Sequence, residues 1–371
     1  MTTGPLLGGE DADGSKNTDP LPEAPMPIFA NMAIQGGRGW TKKNQPVHES
    51  MTIAALIASK FPISEGTTYK NAPKEIKEFL RGCVWNDDPG CLLFEQDAHD
   101  NYKLSDGIQW GAEYKSAEGG LVGGFIGFIT RTPQQTITGR SHFGDLQFLH
   151  AMAAQEKEEP QETKSKIMMW LEIMYKLSVG DQDIHENMRL DQIDVSSSSQ
   201  YQLRMFFKED TSPNGAGTLR GLLTHNTQYE DTMISRRALG SCFHIIQDSY
   251  ARGHVRRWPL NAGELESHMP LKMKPGVADR WGKIENFHTY RGQSSDHGHY
   301  DHSDVQVEEW GNLGDLDKFN GMIGVRDGID ACITLANYWH DRVAWENGVQ
   351  TWLRDTVFAL AEDVTRANHE V

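Results

Sequence analysis

The chain has 371 residues, with 36 lysine and arginine residues against 52 aspartate and glutamate residues, which gives a formal charge of −16. This acidic balance excludes broad electrostatic binding to DNA or RNA, because such binding depends on Lys and Arg side chains that neutralise phosphates. The length allows one large domain or two ordinary ones, and a hydrophobic fraction of 38% is enough for a sizeable core.

The N-terminal segment has neither a basic region nor an apolar region of the kind found in signal peptides. We therefore expect a protein that is cytoplasmic at synthesis, with export by a route that ignores signal peptides left open. Residues 1–27 are rich in Gly, Pro, Asp and Ser, so we expect them to be disordered or draped over the surface. Residues 28–371 are then interpreted as one α-helical domain.

Helical patterns begin shortly after this segment. Apolar residues at helical spacing predict helices over residues 47–61 and 72–82, and the second is followed by a loop, VWNDDPG. Residues 112–133 differ, because they contain the Gly-rich apolar run LVGGFIGFIT. We favour a buried strand or an irregular core segment there over a loop that touches lipid.

The rest of the chain continues the helical pattern. The Ser-rich stretch 194–202 predicts a loop, and the sequence shows no sustained alternation of the kind that predicts strands. The fold class is therefore expected to be all-α. The further helices are predicted over residues 145–159, 165–180 (ending on Gly180), 236–253 (ending on Gly253), 327–348 and 350–368.

The segment 243–254 (FHIIQDSYARGH) carries the strongest candidate for a metal site. His244 and Asp248 are four residues apart, so a helix places both side chains on one face. Zinc and related ions favour ligands held in this way. His254 follows six residues later, and Gly253 allows the chain to turn and bring that imidazole back. Alone, such a pair is more often an exposed carboxylate beside a partly buried histidine.

Other residues of ligand type lie in predicted loops or at helix ends. Several such segments in a mostly helical protein favour a polynuclear metal site between helices. A histidine-rich tract by itself is typical of a solvated loop. The set comprises His48, Asp87 and Asp88, His142 and Asp145, and the run 295–304 (SDHGHYDHSD), in which His297 and Asp301 repeat the four-residue spacing beside Asp296, His299, His302 and Asp304.

The remaining histidines are interpreted as surface or satisfied core residues: His99, His150, His185, His225, His268, His288, His340 and His369. His150 is the least certain of them, because it lies eight residues after His142 and could share its helix face. Arg252, Arg256 and Arg257 form a basic cluster around His254. A helix-end cap or surface pairing is the commoner cause of such a cluster, and anion recognition beside the metals is the alternative.

Five motifs in chain order resemble the zinc-dependent phospholipase C and single-strand nuclease superfamily, and most closely its HET-C (heterokaryon incompatibility) type proteins and their bacterial relatives. The motifs are PVHESMTIAAL, RGCVWNDDP, SHFGDLQFLHAM, ALGSCFHIIQDSYARGH and HGHYD, which span about residues 40–305. The resemblance implies a multi-helix bundle with long irregular loops and up to three closely spaced metal ions at the bottom of a cleft.

The resemblance also implies roles for individual residues. Asp87 would be the bridging or base carboxylate, with Asp88 as the alternative, and His299, His302 and Asp304 are alternatives for the last ligand pair. The implied ligands are His48, Asp87, His142, His244, Asp248, His254, His297 and Asp301.

One departure concerns the third metal. In the secreted relatives a mature N-terminal Trp binds it, whereas Trp40 of this chain is internal. The third site must therefore be rebuilt, emptied or filled by another ion. Zinc is expected at the centre, with calcium as the alternative at one or more sites, because nearby carboxylates suit a hard cation.

The implied activity is hydrolysis of a glycerophospholipid at a membrane surface to diacylglycerol and a phosphorylated head group. Arg252 or Arg256 would pair with an anionic head group. The alternatives are a single-strand-specific nuclease, although nucleic acid is the less favoured partner, and a non-enzymatic toxin or interaction protein that uses metal only for stability.

Overall fold

A computed structural model of the chain describes residues 47–69, 71–90, 104–118, 136–198, 200–207, 217–224, 232–260, 280–290, 311–320 and 324–368. Within these ranges the chain is mostly helical, which confirms the predicted dominance of α-structure. The predicted N-terminal segment 1–27, the run LVGGFIGFIT and the His-rich run 295–304 lie outside the described residues.

The structure describes nine α-helices within these ranges. None of them combines the length and the apolar character that crossing a membrane requires. In chain order they are α1 (Val47–Ala58), α2 (Lys74–Trp85), α3 (Leu104–Glu118), α4 (Ile137–Phe143), α5 (Pro160–Val179), α6 (Leu219–Thr224), α7 (Ile234–Asp248), α8 (Val325–His340) and α9 (Val349–Trp352), the last continuing into a π-helical turn, Leu353–Val357.

A two-stranded antiparallel sheet departs from the expected all-α fold. Strand β1 (Val255–Pro259) pairs with β2 (Trp281–Phe287), and irregularities interrupt the register on both sides of Arg257. Because Arg257 occupies a buried position of β1 and Trp258 an exposed one, no regular apolar alternation is visible in the sequence. The segment from Ala359 to Asn368 runs beside β2 through isolated bridges and backbone hydrogen bonds.

Helix α7 lies at the centre of the core and packs against α1, α2, α5 and α8. Its contact with α2 is especially close. A methyl group at Gly240 would overlap the Phe79 carbonyl oxygen, and one at Gly82 would overlap the Arg237 backbone. The two glycines therefore allow the helix backbones to touch. Glu78 and Arg237 form a buried ion pair across the same contact, with Oε2 and Nε 2.7 Å apart.

Several predicted helices are confirmed and others are wrong in part. α1, α2 and α5 match their predicted segments, and Gly180 ends α5 in the left-handed conformation, with a φ of 71°. Residues 112–118 belong to α3 and are not strand or irregular core. Residues 145–159 do not form an α-helix. They contain one 3-10 turn, Gln147–His150, which Ala151 ends with a φ of 52°.

The ends of the later helices also differ from the prediction. α7 ends at Asp248, five residues before Gly253. The Arg257 side chain donates a hydrogen bond to the Ser249 carbonyl oxygen, just beyond this end. α8 ends at His340, where Asp341 closes the helix. Beyond Val357 the chain leaves helical structure and pairs with β2, so tertiary hydrogen bonds override the helical pattern of the C-terminal sequence.

We expect Gly240→Ala to destabilise the fold by at least about 2 kcal/mol, because the added methyl group must push α2 away from α7. Gly66→Ala is the matched control, since a methyl group there meets only the Ser64 hydroxyl at 3.9 Å. The measurement is the free energy of unfolding in denaturant. Equal stability of the two variants would show that the helices do not need this close approach.

Candidate metal centre

Six of the predicted ligands come together at the buried ends of several elements. His48 lies in the first turn of α1, Asp87 follows α2, and His142 lies near the end of α4. His244 and Asp248 lie on α7, as their spacing predicts, and His254 follows α7 in a tight turn. The other two, His297 and Asp301, lie outside the described residues, together with Asp296, His299, His302 and Asp304.

The Asp248 carboxylate lies at the centre of this group. Its Oδ2 is 2.9 Å from His244 Nε2, 3.0 Å from His150 Nδ1 and 3.5 Å from His254 Nδ1. Its other oxygen, Oδ1, is 3.3 Å from His48 Nε2. Asp248 and the four imidazoles around it are buried. This is one carboxylate in contact with four histidines from four separate segments of the chain.

Hydrogen bonds alone do not explain the closest contacts among His150, His244 and Asp248. His150 Nδ1 and His244 Nε2 are 3.0 Å from each other as well as about the same distance from Asp248 Oδ2. If both nitrogens donated to the carboxylate, two N–H groups would face each other. Ligand atoms that share one zinc ion at about 2.1 Å lie roughly 3.3 Å apart. The spacing of these three atoms therefore fits the face of a metal coordination shell.

Asp87 lies against the opposite edge of His244 from Asp248 and also lies close to His150 Nδ1. Its Oδ1 is 3.6 Å from His142 Nε2 and 3.7 Å from His150 Nδ1, and its Oδ2 is 3.9 Å from His244 Nδ1. His244 thus presents one ring nitrogen to Asp87 and the other to Asp248. Asp87, His150 and His244 could hold a metal ion, since their ligand atoms lie within 4.8 Å of one another.

Hydrogen bonds to the ring nitrogens fix the orientation of three of the histidines. His142 Nδ1 lies 2.8 Å from the Thr138 carbonyl oxygen and His254 Nδ1 lies 2.7 Å from that of His150. His48 Nδ1 lies 2.6 Å from Gln247 Oε1. A ring that donates from Nδ1 keeps the lone pair on Nε2. This is the usual arrangement of metal-binding histidines.

Gln247 is itself fixed by a second contact. Its amide nitrogen donates to Thr52 Oγ1 at 3.0 Å, and that hydroxyl donates to Cys83 Sγ at 3.3 Å. The amide oxygen is therefore directed at His48, and Gln247 sets the tautomer of that ring.

Burial and charge move the pKa values of the cluster in opposite directions. Burial opposes the charged form of His48, but the Asp248 carboxylate outweighs it and raises the pKa of His48 to about 9. Burial lowers the pKa of His150 to about 4 despite the attraction of Asp248 and Asp87. Although burial opposes their ionisation, the surrounding imidazoles hold the pKa of both Asp87 and Asp248 well below its usual range. A metal ion that binds His48 must therefore displace a proton.

Several buried ligand atoms have no hydrogen-bond partner of good geometry among the described residues, although two of them, His48 Nε2 and Asp248 Oδ1, lie 3.3 Å apart. The atoms without such a partner are His48 Nε2, Asp87 Oδ2, His150 Nε2, His244 Nδ1 and Asp248 Oδ1. Leaving buried polar atoms unpaired is costly, so a cluster of them indicates a missing ligand. The residues therefore fit a bound cation, and the buried His and Asp groups could hold a metal ion.

A second group, His48, Cys83 and His244, also has the spacing of a metal site. Burial raises the pKa of the Cys83 thiol well above its ordinary value, and the Thr52 hydroxyl donates to its sulfur. Cys83 is therefore a buried thiol with a hydrogen bond, and a metal ion that binds it must displace its proton, as at His48. The group with Asp87 and His150 is the stronger candidate, because its carboxylate is held ionised.

His150 was interpreted as a surface or satisfied core residue. It is buried and not on the surface, and it lies in the cluster, where it could hold a metal ion. The 3-10 turn directs its ring between Asp87 and Asp248. The only signal in the sequence was its distance of eight residues from His142. His288 is also buried, and burial lowers its pKa to about 3; its Nδ1 lies 3.1 Å from the Gly253 carbonyl oxygen.

Other candidate residues lie away from the cluster. Asp145 is exposed and forms a bidentate ion pair with Arg140, with both N–O distances 2.8 Å. Among the described contacts of the cluster, the carboxylate after α2 is Asp87 and not Asp88. Arg257 is buried and bonds backbone carbonyls, and Arg256 Nε lies 3.6 Å from Glu285 Oε2.

An aromatic cluster supports the Asp87 side of the centre. Trp110, Tyr114, Phe143 and Tyr290 pack against one another with Met152. The Trp110 indole N–H donates to the Asp87 carbonyl oxygen at 3.1 Å, and Tyr114 contacts the His142 ring edge-on with centroids 5.0 Å apart. These contacts hold Asp87 and His142 in place relative to each other.

The comparisons with known proteins find no relative for this chain. No family model matches it, and neither the curated proteins nor the solved structures include a match. The geometry of the residues therefore has to carry the functional argument.

We expect the purified protein to contain a divalent transition metal, and His244→Ala to lower its metal content at least tenfold, because this ring contacts both carboxylates. His185→Ala, which removes an exposed histidine, is the control and should leave the content unchanged. The measurement is elemental analysis after dialysis against metal-free buffer. Equal metal content in both variants would contradict the assignment.

We also expect Gln247→Leu to weaken metal binding by roughly tenfold to a hundredfold, because His48 loses the acceptor that orients its ring. Gln247→Glu keeps an acceptor oxygen at that position and should restore most of the affinity. Competition with a chromogenic chelator measures both. An unchanged affinity in Gln247→Leu would show that His48 does not bind the ion.

Proposed function

We propose that this protein is a metal-dependent phosphodiester hydrolase, and specifically a phospholipase C that releases diacylglycerol and a phosphorylated head group. The observation that carries the proposal is the placement of two carboxylates, Asp87 and Asp248, at the two ring nitrogens of His244, with His150 Nδ1 close to both. Buried centres with this composition suit hydrolysis at phosphorus, which gains from several positive charges around the phosphoryl oxygens. The motif order that resembles the phospholipase C and HET-C proteins supports the same activity.

The donor set favours zinc or a similar ion. Five of the seven clustered side chains are imidazoles, which suit zinc, whereas calcium takes oxygen ligands almost exclusively. Calcium is therefore the less suitable ion for the described cluster. We assign His48 and His254 to the side of Asp248, and His142 to the side of Asp87, with His150 and His244 between them.

Asp87 is the residue best placed to accept a proton from the attacking water. Its side chain is 12% exposed, whereas that of Asp248 is fully buried, so Asp87 faces the accessible side of the centre. Its low pKa keeps it ionised near neutral pH. Bound ions of the zinc type lower the pKa of water and polarise a phosphoryl oxygen. Asp87 would orient the attacking water and accept its proton, and His142 would hold the Asp87 carboxylate in place.

The head-group role of Arg252 and Arg256 stays a prediction. Arg256 is directed at Glu285, which supports the commoner interpretation of a surface pair. Arg257 caps the end of α7 through the Ser249 carbonyl oxygen. The proposal therefore relies on the metal centre for the charge of the phosphate.

The alternatives differ in what they require next to the centre. A nuclease for single strands needs an aromatic face on which a base can stack. The aromatic residues that contact His142 in the described part of the chain are buried against one another: Trp110, Tyr114, Phe143 and Tyr290. This favours the lipid substrate. A non-enzymatic protein would need the ion only for stability.

We expect the metal-loaded protein to release diacylglycerol from phospholipids in mixed micelles. Asp87→Asn should lower kcat at least about a hundredfold, because the water loses its proton acceptor. His185→Ala is the control and should retain full activity. The assay compares head groups at fixed metal concentration.

Each contrary outcome points to one of the alternatives. Cleavage of single-stranded DNA by the same preparation, without phospholipid hydrolysis, would replace the lipase with the nuclease. A metal-bound protein that cleaves neither substrate, but unfolds at a lower temperature when a chelator is added, would favour the non-enzymatic alternative.

A further inference from the structure

Two large apolar side chains are exposed at one end of the small sheet. Trp258 is 59% exposed and Leu260 is 66% exposed. Among the described residues the remaining exposed large apolar side chain is Met205, at 45%, which lies in a separate 3-10 turn. An exposed Trp and an exposed Leu so close in sequence indicate a surface that binds a partner.

The backbone of the sheet fixes the side of β1 on which Trp258 lies. Along β1, Val255 and Arg257 are buried, whereas Trp258 is exposed on the opposite face. The Leu260 backbone N–H donates to the Arg280 carbonyl oxygen at 2.8 Å, and its side chain lies over Gly282. Both residues are therefore held by the sheet and are not on a free chain end.

The same sheet is attached rigidly to the metal centre. His254 directly precedes β1, and the Arg257 guanidinium bonds the Ser249, Gly282 and Val357 carbonyl oxygens. That guanidinium also lies over the Tyr250 ring, 4.1 Å from its centroid. The end of α7, the His254 turn and the outer end of the sheet thus move as one body.

The charge of the sheet differs from that of the chain. Its described residues 255–260 and 280–287 contain four basic residues against the single acid Glu285, whereas the whole chain has 52 acidic residues against 36 basic ones. Three of the four are buried or paired, because Arg257 is buried, Arg256 faces Glu285, and Arg280 pairs with Asp327 and Asp330. Lys283 is exposed and lies between the backbone pairs of Arg257 and Pro259. Lys283 is therefore the cation that can contact an anionic surface beside the exposed apolar side chains.

We propose that Trp258, Leu260 and Lys283, which we call the sheet tip, dock this protein on an anionic phospholipid surface. Tryptophan and leucine bury in the interfacial layer of a bilayer while a nearby lysine contacts lipid phosphates. The role of the tip in catalysis rests on the proposed phospholipase activity, but its binding to lipid does not require turnover. The tip would bring the metal centre to its substrate.

The test is flotation of the metal-loaded full-length protein with vesicles of phosphatidylcholine, with and without phosphatidylglycerol. We expect binding that increases with phosphatidylglycerol. Trp258→Ala combined with Leu260→Ser should lower the partition coefficient about tenfold to a hundredfold. Lys283→Glu should abolish the preference for phosphatidylglycerol. Met205→Ala, which removes the exposed apolar side chain elsewhere, is the matched control and should bind like the wild type.

The proposal is overturned if the wild type does not float with either vesicle, which would assign the sheet tip to a protein partner. It is also overturned if the double variant and Lys283→Glu both bind as the wild type does. If the double variant does not fold, as judged by its thermal unfolding, Lys283→Glu alone decides, because it changes only an exposed side chain.

Hydrolysis of a short-chain phospholipid below its micellar concentration separates this proposal from the proposed function. Sheet-tip variants should retain that hydrolysis in full, because the monomeric substrate reaches the centre without docking. Vesicle binding without hydrolysis of either form would leave the docking surface in place and reject the phospholipase activity. Hydrolysis of the monomer without vesicle binding would reject the docking surface and leave the phospholipase activity in place.

Discussion

The Asp248 carboxylate is fully buried, and four imidazoles from four different segments of the chain lie against it. A buried charge is costly unless it is matched by opposite charge and hydrogen bonds. The first turn of α1, the 3-10 turn, α7 and the turn after it must therefore meet at one point. A cation bound there would satisfy ligand atoms that have no partner in the described part of the chain, and its binding would then be coupled to folding.

The second carboxylate reaches this point because α2 and α7 touch. Gly82 and Gly240 allow the two backbones to approach, and the buried pair of Glu78 and Arg237 fixes their relative position. Asp87 follows the last turn of α2, where its N–H bonds the Val84 carbonyl oxygen. The distance between the two carboxylates is thus set by helix packing. A side chain at either glycine would change the distance without altering a ligand.

The small sheet extends the same rigid unit to the surface. His254 receives its position from the turn that joins α7 to β1, and Arg257 binds the end of α7, β2 and the π-helical turn together. The buried Arg257 side chain therefore links these three elements. It connects the candidate metal centre at one end of β1 with the exposed side chains at the other, so the proposed surface recognition and the proposed chemistry would share one framework.

The sequence by itself determined the helical class, the helices α1, α2 and α5, and the four-residue pair His244 and Asp248, because these depend on periodicity within one segment. It also indicated His48, Asp87 and His142 as residues of ligand type, but their meeting depends on contacts between distant segments. Only the tertiary structure decided that His150 belongs to the cluster and that Asp145 does not. It also decided the sheet and the early end of α7, because hydrogen bonds across the fold outweigh local propensity there.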